Sequence, residues 1–412
     1  MQQHRRHYFL PSLILAALCA ASVAAEPHQH GDAQPSREAK WQATLAKQQS
    51  LVVSAVFDAQ GRLWRAQVKD GHVLVDHSAD DGASFSAPVA VNPEKEPIGA
   101  EGDSRPKLAV APDGALYVTY TRLLSKPFSG DIRFSRSLDG GKTFSAPVTV
   151  NDNRDIISHR FDALTVGGDG KVYVLWLDKR DEAAAKQRGE TYLGSALYYA
   201  VSADRGASFA ANVKLADHAC ECCRIALDLA PDGVPVTFWR HVYGDNERDH
   251  AVLKLDGKAA PRRVTHDKWR IAACPHHGPA LAIGADGEYH LAWFNNAPQA
   301  RGLFYARSRD GGETLSPPLA VGDAAAQAGH PAVASAGREV YLVWKEFDGE
   351  FSLIRMQHSA DGGVSWSAPS TVARSADASD HPELLTRGAD VYLSWNTLRE
   401  DYRLIALNGT MP

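Results

Sequence analysis

The sequence predicts an all-β fold, a seven-bladed β-propeller, from a turn repeated five times, an aromatic strand repeated seven times and a spare N-terminal strand. The turn reads Ser-x-Asp-x-Gly-x-(Ser/Thr)-(aromatic or Leu) and begins at Ser78, Ser137, Ser202, Ser308 and Ser359. Its chemistry suits a hairpin corner. The Asp can accept backbone N–H groups, the Gly supplies a positive φ, and the last residue (Phe85, Phe144, Phe209, Leu315 or Trp366) packs inward. Five copies in register mark a repeat architecture, in which each unit buries its apolar face against the next.

The turns follow one another at 59, 65, 106 and 51 residues. The doubled gap implies a decayed copy, and Leu255-Asp256-Gly257-Lys258 stands near its midpoint. Ahead of each turn lies a strand with aromatics: Trp64, Tyr117/Tyr120, Tyr173/Trp176, Trp239, Tyr289/Trp293, Tyr341/Trp344 and Tyr392/Trp395. Such alternation is what half-buried strands show, so the stripe is read as core between blades. Seven units of about 55 residues result, each with strands A to D. The last unit runs out after three strands, and residues 41–47 supply a spare one to close the ring and remove an exposed edge. A six-bladed ring is the alternative.

The ends bound the location. Arg5, Arg6 and His7 precede an apolar run at 10–21, and Val23-Ala24-Ala25 fits a small-residue cleavage site. Residues 1–25 therefore read as a signal peptide, 26–40 as a flexible His-containing leader, and 41–412 as the propeller. The apolar run is too short to span a bilayer comfortably. Leu18 stands before Cys19 where a lipoprotein signal wants a small residue. A periplasmic or secreted protein without a membrane span is expected. The net charge of −5, with both signs interspersed, argues against nucleic acid and anionic membranes as partners. A monomer is expected.

The repeated turns resemble the Asp-box (BNR) repeats of the sialidase superfamily over residues 50 to 400. Asp boxes are scaffold at blade corners and occur in propellers that hydrolyse nothing, so the fold leaves function open. The resemblance implies a site with three arginines on a substrate carboxylate, an Asp acid/base and a Tyr nucleophile activated by a Glu. Arg suits a carboxylate because its N–H donors form a fixed fork. Arg105 resembles the first arginine, although the usual Arg-Ile-Pro is Arg-Pro-Lys here. Asp131, ahead of Ile-Arg-Phe-Ser-Arg, resembles the acid loosely. Glu221 and Arg240 resemble the Glu and second-arginine segment, with Cys where Asn usually precedes the Glu. Neither a third arginine nor a nucleophilic Tyr can be placed. Pairing of Arg105 and Arg240 with loop carboxylates is the alternative reading.

Strand A starts and strand B ends share one end of an antiparallel blade. Strand A starts carry Arg105, His159-Arg160, Cys220-Glu-Cys222-Cys223-Arg224, Cys274-Pro-His276-His277, His330-Pro and His381-Pro. One mouth should therefore gather Cys220, Cys222, Cys223, Cys274, His276, His277, His330 and His381. Thiolate with imidazole suits copper or zinc, and the scarcity of Met argues against a methionine-type copper carrier. Arg224, standing where His would follow Cys220-x-x-Cys223, excludes a c-type haem. Disulfides remain open, since an exported chain with four mature cysteines allows three pairings. The reading reached is a non-hydrolytic binding protein with a Cys/His metal or small-ligand site at the propeller mouth. The alternative is an exo-acting sialidase or related glycoside hydrolase using Arg105, Asp131, Glu221 and Arg240 on a glycan.

Overall fold

The structure, a computed structural model, describes residues 50–408. The expected signal peptide, leader and spare strand at 41–47 lie outside the described residues. Antiparallel meanders account for nearly all of the rest. The first sheet holds β1 (Val53–Phe57), β2 (Leu63–Lys69), β3 (His72–Ser78) and β4 (Val89–Ala90). The second holds β5 (Lys107–Val110), β6 (Leu116–Leu123), β7 (Gly130–Ser137) and β8 (Val148–Thr149). A third meander comprises β9 (His159–Val166), β10 (Val172–Asp178), β11 (Ser195–Ser202) and β12 (Val213–Ala219). A fourth comprises β13 (Ala226–Leu229), β14 (Pro235–Tyr243), β15 (Glu247–Lys254) and β16 (Arg262–Arg263). One residue pair, Ala219 with His241, joins these two into a single eight-stranded sheet.

The next sheet holds β17 (Ala280–Ile283), β18 (Tyr289–Ala297), β19 (Ala300–Ser308) and β20 (Leu319–Val321). It is followed by β21 (Gly329–Ala336), β22 (Glu339–Phe347), β23 (Ser352–Ser359) and β24 (Ser370–Ser375). The last has three strands, β25 (Glu383–Arg387), β26 (Asp390–Thr397) and β27 (Asp401–Ala406). A helix that the repeat pattern does not announce, α1 (Arg180–Gln187), is inserted between β10 and β11. Its Ala-rich sequence, with Asp181 and Glu182 in the first turn and Lys186 in the last, suits the helix dipole.

The core lies between the meanders. Trp64 packs with Val118 and Tyr120, Trp176 with Tyr117 and Phe134, and Trp239 with Leu175 and Leu177. Trp293 packs with Phe238, Trp344 with Tyr305, and Trp395 with Met356. Leu63 and Phe57 meet Tyr392 and Leu404, which brings the last sheet against the first. The first strands touch in chain order, and β25 touches β1. Each indole buried in this way contributes about 1.5–3 kcal/mol. Most indole N–H groups are satisfied too. Trp64 donates to Asp58 (2.9 Å), Trp176 to Asp178 (2.8 Å), Trp293 to Asp267 (2.8 Å) and Trp344 to Glu346 (2.7 Å).

The repeated turns all sit after the third strand of a sheet. At the second copy, Ser137 Oγ donates to Asp139 (2.7 Å) and accepts from Gly141 N (2.9 Å). Asp139 in turn accepts from Thr143 N (3.0 Å) and Thr143 Oγ1 (2.6 Å). The same four bonds recur in the other copies, as at Ser359 and Asp361. They favour the ionised acid: the bond from Ser84 and its neighbours bring Asp80 down to about 2. The decayed copy keeps part of this wiring, with Asp256 accepting from Lys258 N (2.9 Å) and Ala259 N (3.2 Å) between β15 and β16.

The glycine is more than a flexible corner. A Cβ on Gly141 would lie 2.6 Å from the Trp64 ring of the preceding sheet. On Gly206 it would lie 2.5 Å from Phe134, and on Gly312 it would lie 2.7 Å from Val252. Gly363 sits under Tyr305 in the same way, and Gly82 of the first sheet faces Leu404 of the last at 3.5 Å. Each turn is thus pressed flat onto the previous unit.

Neighbouring glycines separate the two costs. Gly140 has φ +74° with nothing within 4 Å, so Gly140→Ala costs only backbone strain, about 1–2 kcal/mol. Gly141→Ala adds overpacking against Trp64, worth about 1–3 kcal/mol more. Thermal melts should rank Gly141→Ala clearly below Gly140→Ala, and equal melting temperatures would remove the seat from the account.

Candidate functional site

At the end of the sheets opposite the repeated turns, the loops feeding the first strands converge. Asp103, two residues before Arg105, shows the convergence. Its carboxylate faces Gly278 N at 3.2 Å, Arg224 N and a guanidinium nitrogen of Arg224 at 3.5 Å, and His381 Nδ1 at 3.5 Å. Four meanders therefore meet on one buried carboxylate. Burial opposes its charge, but Arg224 and His381 hold Asp103 well below the usual carboxylate range. Arg224 is itself strapped across the mouth, donating to the carbonyls of Pro279 (2.8 Å) and Pro331.

The cysteines gather where β12 runs into β13. Cys220 N bonds Arg240 O at 2.9 Å, continuing the junction made by Ala219 and His241. This places Cys220, Cys222 and Cys223 in the apolar cluster with Trp239 and Ile225. Their sulfurs lie within 4.8 Å of one another, with Cys220 and Cys223 at 3.5 Å. Cys222 also lies within 4.8 Å of Cys274 Sγ and a ring nitrogen of His276, both exposed. Among the described residues Cys220, Cys222, Cys223 and Cys274 are not joined by a disulfide. Hydrogen bonds from Cys222 and Cys223, with Arg240 and Arg248 nearby, lower the Cys220 thiol far below its ordinary range. Arg248 approaches its sulfur to 3.3 Å. The shared bonds push Cys222 and Cys223 up.

The remaining histidines stand apart from the thiols. The rings of His330 and His381 stack at 3.5 Å, and His277 lies 4.7 Å from His330 and 4.0 Å from Phe294. Burial, then the charge of Arg240, lowers His277 to about 4, and burial lowers His330 well below its ordinary value. Both are neutral at physiological pH. A cavity of about 690 Å³ opens beside them, lined also by Asn296, Arg301, Lys345 and Glu346. The eight ligands expected to share one mouth thus divide into a thiol-rich group and a histidine group, and His277 falls in none of the three ligand triads.

Each residue of the glycosidase alternative has an occupation of its own. Arg105 is 3% exposed and grips Asp380 with two nitrogens (2.9 and 2.6 Å), with Glu383, Gly102 O and Val53 O taking further bonds. Arg240 is buried, donates to the carbonyls of His277 (2.9 Å) and Phe294 (2.8 Å), and stacks 5.0 Å from Trp269. Asp131 accepts from Arg122 (2.7 Å) and Asn151 (3.1 Å), and Glu221 lies 3.4 Å from Arg248. Both arginines act as struts between sheets: Arg105 through the carboxylates that the alternative reading expected, Arg240 through backbone carbonyls instead. The sequence reading passed over Asp103, Asp380 and Arg248. Asp103 and Asp380 stand at strand starts beside residues that were singled out, so position alone could have found them.

No protein-family model matches the chain, and no curated protein matches it. Solved structures do. A lectin of Burkholderia pseudomallei superposes with a TM-score of 0.57 at 11% identity, covering 87% of this chain and 99% of the lectin. An ulvan lyase, a polysaccharide lyase, gives 0.51 at 11% identity over 87% of this chain and 92% of its own. A mutant α-L-arabinofuranosidase of Fusarium graminearum gives 0.50 at 13% identity over 78% and 92%. The fold is a β-propeller. At these identities the likeness is one of fold, and the propeller's mouth must be read from its own residues.

The strut at the mouth is testable. Arg105→Met leaves Asp380 buried without its partner and should cost about 3–5 kcal/mol of propeller stability. Adding Asp380→Leu should recover part of the loss in urea unfolding. A single variant as stable as the parent would show that the pair is idle.

Proposed function

We propose that this protein is an exported, sialidase-like propeller of the Asp-box type, with seven blades, that binds a soft transition ion at its mouth and does not hydrolyse glycosides. The ligands are Cys220, Cys222, Cys223, Cys274 and His276, and the ion is copper or zinc. The observation that carries this reading is the position of Cys222, within 4.8 Å of Cys220 and Cys223 on one side and of Cys274 and His276 on the other. Soft sulfur with one imidazole suits copper(I) and zinc. Against hydrolysis stands the use of Arg105 and Arg240 as struts. A saccharide is the second reading for the cavity of about 690 Å³, whose polar lining suits one. The lectin and the polysaccharide lyase of similar fold lend it weight.

Cys274 and His276 are exposed, so Cys274→Ser and His276→Ala test the metal without disturbing the core. By elemental analysis the purified parent should carry about one ion per chain more than either variant. Four oxidised thiols with no affinity for copper or zinc at micromolar concentration would convert the cluster to a disulfide clamp and end the metal reading.

Seven blades are supported by the contact of β25 with β1 and by Gly82 facing Leu404. Among the described residues the last sheet has three strands where the other units have four, and the proposal is that residues 41–47 complete it. Deleting residues 26–48 should lower the melting temperature sharply. An unchanged melt would place the closing strand elsewhere.

A further inference from the structure

We propose a second metal site, separate from the thiols, in which Asp103, His330 and His381 hold a divalent first-row transition ion such as zinc at the edge of the mouth cavity. Its residues are distinct from those of the thiol site, so it stands or falls independently. One ring nitrogen from each histidine and one carboxylate oxygen lie within 4.8 Å of one another. Two imidazoles and a carboxylate are a borderline-hard donor set that leaves coordination positions open.

Three further observations point to a ligand. Nδ1 of His330 and Nδ1 of the adjacent His277 are buried and lack hydrogen-bond partners, and Nδ1 of His381, also buried, has only the 3.5 Å approach to Asp103. Buried polar nitrogens are rarely left so, and an ion is one way to satisfy them. Asp103 is likewise held loosely, since every polar contact to its carboxylate is between 3.2 and 3.5 Å. Charge-assisted bonds are ordinarily shorter, near 2.7–2.9 Å, so Asp103 has capacity to spare. His330 also has φ +53°, a left-handed conformation at the irregularity between Gly329 and Ala332 in β21. Non-glycine residues in that region are held there by surrounding structure and cluster at functional sites.

The stacked rings set one requirement. Parallel imidazoles 3.5 Å apart point their lone pairs side by side, so closing on one ion requires each ring to turn about Cβ–Cγ. That torsion is broad and soft. Arg224, which shares Asp103, is strapped to Pro279 O and Pro331 O and stays in place as the ion's neighbour. The open positions then face the cavity that His330 and His381 line.

Cobalt(II) separates the two sites, because thiolate ligation gives an intense sulfur-to-metal charge-transfer band that nitrogen and oxygen ligands do not. The double variant Cys222→Ser/Cys274→Ser should still bind about one cobalt or zinc ion per chain, without that band. Adding His381→Ala, or His330→Asn (Asn tolerates the left-handed backbone), should remove it, and so should Asp103→Asn. Circular dichroism and melting temperature verify that each variant folds. The proposal is overturned if the cysteine double variant binds no ion, or if the histidine and Asp103 substitutions leave its stoichiometry unchanged. The charge-transfer band of the parent reports the thiol site alone, so loss of one reading leaves the other standing.

Discussion

Everything in this molecule depends on sheets that must pack face to face with no room for a side chain at one recurring point. That point is the glycine of the repeated turn, pressed against Trp64, Phe134, Val252 or Tyr305 of the sheet before it. The hydrogen bonds of Ser and Asp hold the turn in shape, but the glycine sets how closely successive sheets approach. Close approach lets the tryptophan stripe be buried on both sides, with Trp176, Trp239, Trp293 and Trp344 at 0–1% exposure. An apolar face closed in this way by its neighbour explains why the unit recurs and could not stand alone.

The same packing decides what the opposite end can do. Each sheet delivers the start of its first strand toward a shared mouth, so side chains far apart in sequence are forced together. Asp103 receives Gly278, Arg224 and His381, and Arg105 receives Asp380, 275 residues away. Desolvation at such a place is costly for charge, and the mouth answers it with pairs and carbonyl anchors. Arg105 and Arg240 are absorbed in this task, which is why residues resembling a substrate clamp serve as mortar between sheets. Neutral imidazoles and thiols are cheaper to bury, and these are the groups left over at the centre.

The fold was legible because its signals repeat. Five turns, their spacing and the aromatic strands each told the same story, and the decayed copy at Asp256 was found from spacing alone. Its reduced bonding to Lys258 and Ala259 agrees with the lost Ser. Helix α1 was not legible, since a repeat pattern carries no information about an insertion between β10 and β11. At the site, sequence could name the rim positions but not their partners. Which imidazole meets which carboxylate depends on contacts across the mouth, and no period encodes those. His276 parts from His277 because adjacent residues meet different neighbours once the backbone at His276 takes φ +51°.

The thiol cluster has a place in the fold as well as a chemistry. Cys220 continues the only residue pair that joins β12 to β14, so the cysteines sit on the seam where two meanders become one sheet. Three of them belong to the apolar cluster that packs those meanders, while Cys274 and His276 reach in from the exposed loop before β17. Cys222 is common to both sets. A ligand gripping all of them would tie an exposed loop to a buried seam, and its binding energy would add to the stability of that junction. On the proposed reading, burial and ligand binding would act on neighbouring residues there, the buried seam supplying Cys220, Cys222 and Cys223 and the exposed loop supplying Cys274 and His276.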